Sequence, residues 1–215
     1  MSERVLIVAK TQMKSGVCVG GLLVSSNRNV RLIPEDRQDR RNHPADTQLD
    51  VGQVWDMDYY KSTHIDPPHI EDIIVTDSHY KGKVTSLKST LIQRITPWNG
   101  GLQALFDNNL TININSGKCY ISRMGPIPNC STGYWLPNRQ LTLYYQNNTK
   151  PYYCINYIYK VNDNTYEKDI SIPFVGCSDP IRYISCNVLV RVSLARWWPS
   201  GSEERCYLQI SGFYE

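Results

Sequence analysis

The residues best suited to chemistry in this chain are two arginines and three rings near its end. Arg191 and Ser193 occupy alternate positions with Trp197 further on, and Arg205, Tyr207, Gln209 and Phe213 alternate in the run that follows. Guanidinium groups meet phosphate or a base edge, rings stack on bases, and amides and hydroxyls supply further hydrogen bonds. Stacking is worth roughly 1–3 kcal/mol per base, so three rings and two arginines could hold a short single strand or one nucleotide. The competing reading is an ordinary solvated sheet face whose rings are partly covered by a loop.

Strands must hold these side chains in place. Residues 188–198 and 205–214 alternate around the turn-rich residues 199–204, the pattern of an antiparallel hairpin. Alternation puts Val188, Val190, Val192 and Leu194 on one face with Cys206, Leu208 and Ile210, which is the core face. Arg191 and Arg205 then share the outer face with the rings. Trp198 has core parity and is expected inside.

Upstream, Val5 to Ala9 form a continuous apolar run, the mark of a strand buried on both faces. Strands follow over residues 16–24, 30–34, 51–60 and 70–75, separated by turns and by a long polar stretch, residues 35–50. In that stretch Arg37, Arg40 and Arg41 are offset by Glu35, Asp36 and Asp39, so it reads as a solvated loop. Asp56, Asp58, Glu71 and Asp72 suggest an acidic outer face on this half, with Lys10, Lys14 and Arg31 as a secondary basic surface. Leu87, Leu91, Ile92 and Ile95 recur at helical spacing behind Thr85 or Ser86. Strand patterns resume near residue 117. The expected architecture is all-β with a minor α component: two small OB-like barrels, residues 1–84 and 116–215, joined by a short helical connector over residues 85–115.

Composition sets bounds on function. Hydrophobic residues make up 41% and charged residues 20% of 215, a globular balance with 15 tyrosines. A net charge of +3 is mildly basic and does not by itself imply nucleic acid. The seven cysteines include no Cys-x-x-Cys pair, the first residues carry no signal-peptide pattern and no apolar run reaches membrane-spanning length. Reduced thiols in a cytoplasmic protein, away from the membrane, are the expectation. P-loop, dinucleotide and Gly-x-Ser-x-Gly motifs are absent. His64 and His69 flank Pro67-Pro68 without metal-ligand spacing, so no catalytic residue, metal or cofactor is assigned.

Three stretches carry a family resemblance: Val8-Ala9-Lys10-Thr11 with Val30-Arg31-Leu32; Trp55 followed by Pro67-Pro68-His69-Ile70-Glu71-Asp72; and Arg191-Val192-Ser193-Leu194-Ala195-Arg196-Trp197-Trp198 with Cys206-Tyr207-Leu208-Gln209. With these the chain resembles a prokaryotic family of dual OB-fold domain-containing proteins over nearly its whole length. The resemblance implies two OB-like barrels and no established enzymatic activity. It also implies a setting among phage-defence genes. The resulting expectation is a non-enzymatic protein that binds single-stranded nucleic acid or a nucleotide on its second barrel. Its alternative is an adaptor or regulatory module whose aromatic face meets a partner protein. An enzyme using a carboxylate-bound metal is a third reading.

Overall fold

The structure, a computed structural model, describes residues 1–37, 42–147 and 149–215. Strand accounts for 57% of the chain and helix for 6%, as its Tyr, Val, Ile and Thr content favours. The chain divides into two compact units. One comprises Met1–Thr96 with Gly176–Ser178, the other Pro97–Val175 with Asp179–Glu215.

In the first unit β1 (Ser2–Met13), β2 (Gly16–Leu23), β3 (Asn29–Pro34), β4 (Gln53–Lys61) and β5 (Asp72–Lys83) close a barrel in the order β1-β2-β3-β5-β4. Neighbours are antiparallel except β3 and β5, which are parallel. This is the five-stranded Greek-key barrel of the OB fold. β1 serves two neighbours: Ser2 to Leu6 pair with β4, and Val5 to Met13 pair with β2 around a bulge between Ile7 and Ala9. Its Val5-to-Ala9 run is at most 3% exposed, buried on both faces as expected. Gly16, at φ +124°, makes the tight turn into β2, where a Cβ would fall 2.1 Å from the His43 carbonyl oxygen. The helix α1 (Leu87–Ile92) starts at Ser86, whose side chain accepts a hydrogen bond from the Ser89 N–H, and buries Leu91.

The acidic outer face expected of this unit is reduced to the exposed Asp58 and a half-exposed, ion-paired Asp56. Asp56 bridges to Lys81 at 3.1 Å and Arg4 at 3.3 Å, and Lys81, then Arg4, hold its carboxyl below the usual range. Glu71 and Asp72 are buried. The parallel register of β3 on β5 sets Arg31 opposite Asp72, with Arg31 Nε 3.0 Å from the carboxylate. Arg40 and Arg41 lie outside the described residues.

The second unit contains β6 (Trp98–Gly100), β7 (Thr111–Asn113), β8 (Lys118–Ser122), β9 (Thr132–Pro137), β10 (Leu141–Gln146), β11 (Lys150–Val161), β12 (Asn164–Pro173), β13 (Tyr183–Ile184), β14 (Leu189–Leu194), β15 (Trp198–Ser200) and β16 (Glu203–Tyr214). One sheet runs β6-β9-β14-β16-β8-β7, with β15 also on β16, and the other runs β12-β11-β10-β13. β9 and β10 act as a single first strand broken at residues 138–140. β9 pairs with β14 and β10 with β11, just as β1 serves both β4 and β2. β11 and β12 are then the second and third strands, and β14 and β16 the fourth and fifth. A parallel bridge between Phe174 and Ile210 stands where the first unit pairs β3 with β5. The same OB order thus occurs twice, and β6, β7, β8, β13 and β15 are additions to the second copy. Leu102, Leu105, Phe106 and Leu110 join the core of this copy between Trp135, Tyr153 and the valines of β14.

Candidate functional site

The core face of the β14–β16 hairpin follows the alternation: Val188, Val190, Val192, Leu194, Cys206, Leu208 and Ile210 are at most 5% exposed. The outer face departs from it. Arg191 is 5% exposed. It donates from Nη1 to Ser211 Oγ at 2.9 Å, and the Ser211 hydroxyl donates to the Arg191 carbonyl. A bulge sets both Ser211 and Gly212 into the step where β14 advances from Arg191 to Val192. Arg191 also pairs in register with Tyr134 of β9, and Tyr134 packs 6.3 Å from Tyr214. Burial pushes the Tyr134 phenol up to about 12 and raises that of Tyr214, with Arg191 opposing both shifts. Arg191 is therefore a buried structural cation, not an open phosphate contact. The cause is that β14 is a central strand covered on both faces, which alternation within one hairpin does not reveal.

Arg205 and Tyr207 remain together on an accessible face. β8 pairs with this end of β16, placing Ser122 opposite Arg205 and Tyr120 opposite Tyr207. The Arg205 guanidinium lies 4.2 Å above the Tyr120 ring, and Lys118 Nζ sits 5.8 Å from the Tyr207 centroid. Glu203 accepts from Arg205 Nε at 2.6 Å and also from the Ser122 hydroxyl. Those two bonds, Ser122 first, hold the Glu203 carboxyl below its ordinary range. Tyr207 Oη shares a 3.1 Å hydrogen bond with Ser200 Oγ. That bond, then Arg205, lowers the Tyr207 phenol. Ser193 and Gln209 form a half-buried cross-strand pair on the same strand couple.

Trp197 belongs to a second stack. The Arg123 guanidinium is 4.3 Å above its ring, and Arg123 Nε is 2.7 Å from Glu204. Because Glu204 and Arg205 are consecutive on a strand, the two stacks flank the start of β16 on opposite faces. Trp198, expected in the core, is 68% exposed. It opens β15 within residues 195–202, the segment between the fourth and fifth OB strands, and registers opposite Arg205, so the core parity of β14 no longer applies to it. Phe213 is half-buried and packs 5.8 Å from Phe174 against the core, away from the stacks. Lys118, Tyr120 and Arg123 were missed. Their signal was present: Lys118, Tyr120 and Ser122 alternate with Cys119 and Ile121 just as Arg205 and Tyr207 alternate with Cys206 and Leu208. The pairing of β8 with β16 that brings the two stretches together is not encoded in either stretch alone.

The secondary basic surface does not assemble. Lys10 is 2.9 Å from Asp50, Arg31 is bonded to Asp72, and Lys14 is exposed. Lys10 registers with Val19 and Arg31 with Gly20, so the two cations project from opposite faces. All seven cysteines are free thiols, and Cys119 is pushed up to about 12 by burial. Among the described residues, no group of three or more His, Cys, Asp or Glu side chains converges as a metal site would require. Among them, too, no helix is long and apolar enough to cross a membrane.

No curated protein sequence matches the chain. Among solved structures it is similar to the Ifi202 HINa domain in complex with 20 bp double-stranded DNA (7% identity, TM-score 0.34, 100% of this chain and 96% of that one). It is also similar to the p204 HINb domain (11%, TM-score 0.34, 98% and 96%). A third structure, described as structural mimicry for functional antagonism, aligns at 8% identity and TM-score 0.36 over 99% and 92%. A family profile described as a dual OB-containing domain matches residues 3–213. With that match spanning two units that each follow the OB strand order, the chain belongs to the dual OB-containing domain family.

Proposed function

We propose that the second unit binds single-stranded nucleic acid or a nucleotide, without catalysing a reaction, on the surface around the start of β16. The observation that carries this reading is the pair of guanidinium–ring stacks, Arg205 on Tyr120 and Arg123 on Trp197, with Lys118 beside Tyr207. Tyr120 is itself buried and serves as the support on which Arg205 rests, so the half-buried Tyr207 and Trp197 are the rings a base can reach, while Arg205, Arg123 and Lys118 are the cations that meet phosphate. The position also supports it: OB folds bind oligonucleotides through the face of their second and third strands and the loops beside it, including the loop between the fourth and fifth. Here that loop carries Arg196, Trp197 and Trp198.

Glu203 and Glu204 pair with the two arginines in the free protein. The Arg123–Glu204 pair is well exposed, so a phosphate can take the place of the Glu204 carboxylate at small cost, whereas Glu203 is more covered and is held by Ser122 as well. The test is fluorescence anisotropy with a labelled mixed-sequence single strand at low salt. Saturable binding, weakened about tenfold or more by Lys118→Ala with Arg205→Ala, supports the proposal. Absence of binding, or binding unchanged in the double variant, contradicts it.

A specific observation also favours the adaptor reading. Met124 is 81% exposed, Trp198 68% and Ile127 39%. Met and Trp are residue types enriched in protein interfaces. Salt-insensitive retention of one defined protein partner, lost on Trp198→Ala with Met124→Ala and without nucleic acid in the complex, would select that reading.

A further inference from the structure

The hairpin of β11 and β12 outruns the sheet that holds it. β12 pairs with β11 continuously from Tyr152 to Val161, whereas the register with β10 stops at Cys154. The chain that would continue β10 is residues 138–140, which turn away into β9, and the Asn138 N–H donates to the Gly100 carbonyl at 3.1 Å. Among the described residues, β11 therefore has a strand on one side only from Ile155 onward. A cleft of about 180 Å³ opens along this edge, below the range of about 300–1,000 Å³ of sites that enclose a drug-sized ligand, so it suits a single ring system rather than a large molecule.

The lining of the cleft is specific. Its floor is apolar, formed by the buried Leu102 and Ile155. Its walls carry Gln103, Asn138, Arg139 and Tyr157. Arg139 is aimed by a relay: its Nη1 donates to Asn156 Oδ1 at 3.2 Å, and Asn156 Nδ2 donates to Glu167 at 3.2 Å. Tyr157 is oriented by a run of rings. It lies 6.2 Å from Tyr159 at an interplanar angle of 10°, and Tyr159 lies 5.7 Å from Tyr166 at 25°.

This chemistry narrows the ligand. Two primary amides offer donors and acceptors together, and an open strand edge offers backbone N–H and C=O groups as well. An anion alone would need more than Arg139, whose relay already ends on a carboxylate. A purely apolar ligand would leave the amides unpaired, at a cost. A flat heterocycle with a mixed donor–acceptor edge satisfies the walls, and its face suits the oriented tyrosine ring.

We infer that this cleft takes a nucleobase, stacked on Tyr157 and read along its hydrogen-bonding edge by Gln103, Asn138 and the free edge of β11, with Arg139 at the mouth for the sugar-phosphate. The site is separate from the stacks around β16 and does not depend on them.

The experiment is isothermal titration of the full chain with each of the four common ribonucleoside monophosphates, and with ribose 5-phosphate as the probe lacking a base. At least one nucleotide is expected to bind saturably. Gln103→Ala with Asn138→Ala, both exposed positions that leave the core intact, should weaken it about tenfold or more. Tyr157→Leu should do the same, and Tyr157→Phe should retain binding. Three results would each overturn the inference: no saturable binding of any nucleotide, binding indifferent to the paired amide variant, or ribose 5-phosphate binding as tightly as the nucleotide.

Discussion

Two arginines of the same hairpin have opposite roles, and their surroundings decide which is which. Arg191 sits among Tyr134, Ser211 and Tyr214 with 5% of its surface exposed, while Arg205 lies on the Tyr120 ring with about a quarter of its side chain in solvent. Residue type and spacing showed an Arg-and-ring face but could not divide it. The division depends on the bulge at Ser211 and on the cover given by β9, both contributed by chain far from the hairpin. Arg191→Leu removes the charge-assisted hydrogen bond that Ser211 Oγ accepts, while the Ser211 hydroxyl keeps the backbone carbonyl of residue 191 as its acceptor. It should lower unfolding stability by about 2–4 kcal/mol in urea melts while leaving oligonucleotide affinity within twofold. Arg205→Ala should do the reverse, with a melt close to that of the parent chain and weaker binding. Equal loss of binding in both variants would mean that Arg191 reaches the ligand after all.

At the scale of elements, strands whose two faces differ were legible and strands defined by distant partners were not. The β16 alternation, the β1 apolar run and the Ser86 cap follow from local chemistry and appear where the residues put them. The short β6, β7, β13 and β15 have too few residues for any period and exist only because a neighbour offers an edge. β6 illustrates this. It pairs in parallel with β9, and the Trp98 ring lies over Gly133, where a Cβ would fall 2.3 Å from the indole. The ring cannot swing away freely, since Nε1 donates to Asp107 at 3.2 Å and the ring packs 4.9 Å from Phe106. Gly133→Ala should therefore cost about 1–3 kcal/mol by overpacking, read as a lower melting temperature with red-shifted tryptophan emission. A melt identical to that of the parent would show that β6 is not held against β9. The cleft beside β11 was illegible for a similar reason: Gln103, Asn138 and Tyr157 come from three separate segments and share no spacing in the sequence.

Over the whole molecule, the same five-strand order is used twice with different surfaces. The first copy neutralises its charges across strands, as Arg4 and Lys81 do for Asp56 and Arg31 does for Asp72. The second copy adds strands to the barrel and brings cations and rings together at β8 and β16. A net charge of +3 spread over the chain supplies little long-range attraction, so affinity for a polyanion has to come from such local contacts. The most direct test of that claim is the salt dependence of single-strand affinity, compared between the parent chain and the variant carrying Lys118→Ala and Arg205→Ala. Each phosphate contact on a single strand contributes about 0.7 to the slope of log K against log salt, so removing two should make the slope shallower by about 1.4 while weakening binding at low salt. An unchanged slope, or a parent chain that retains no single strand at low salt, would contradict the account.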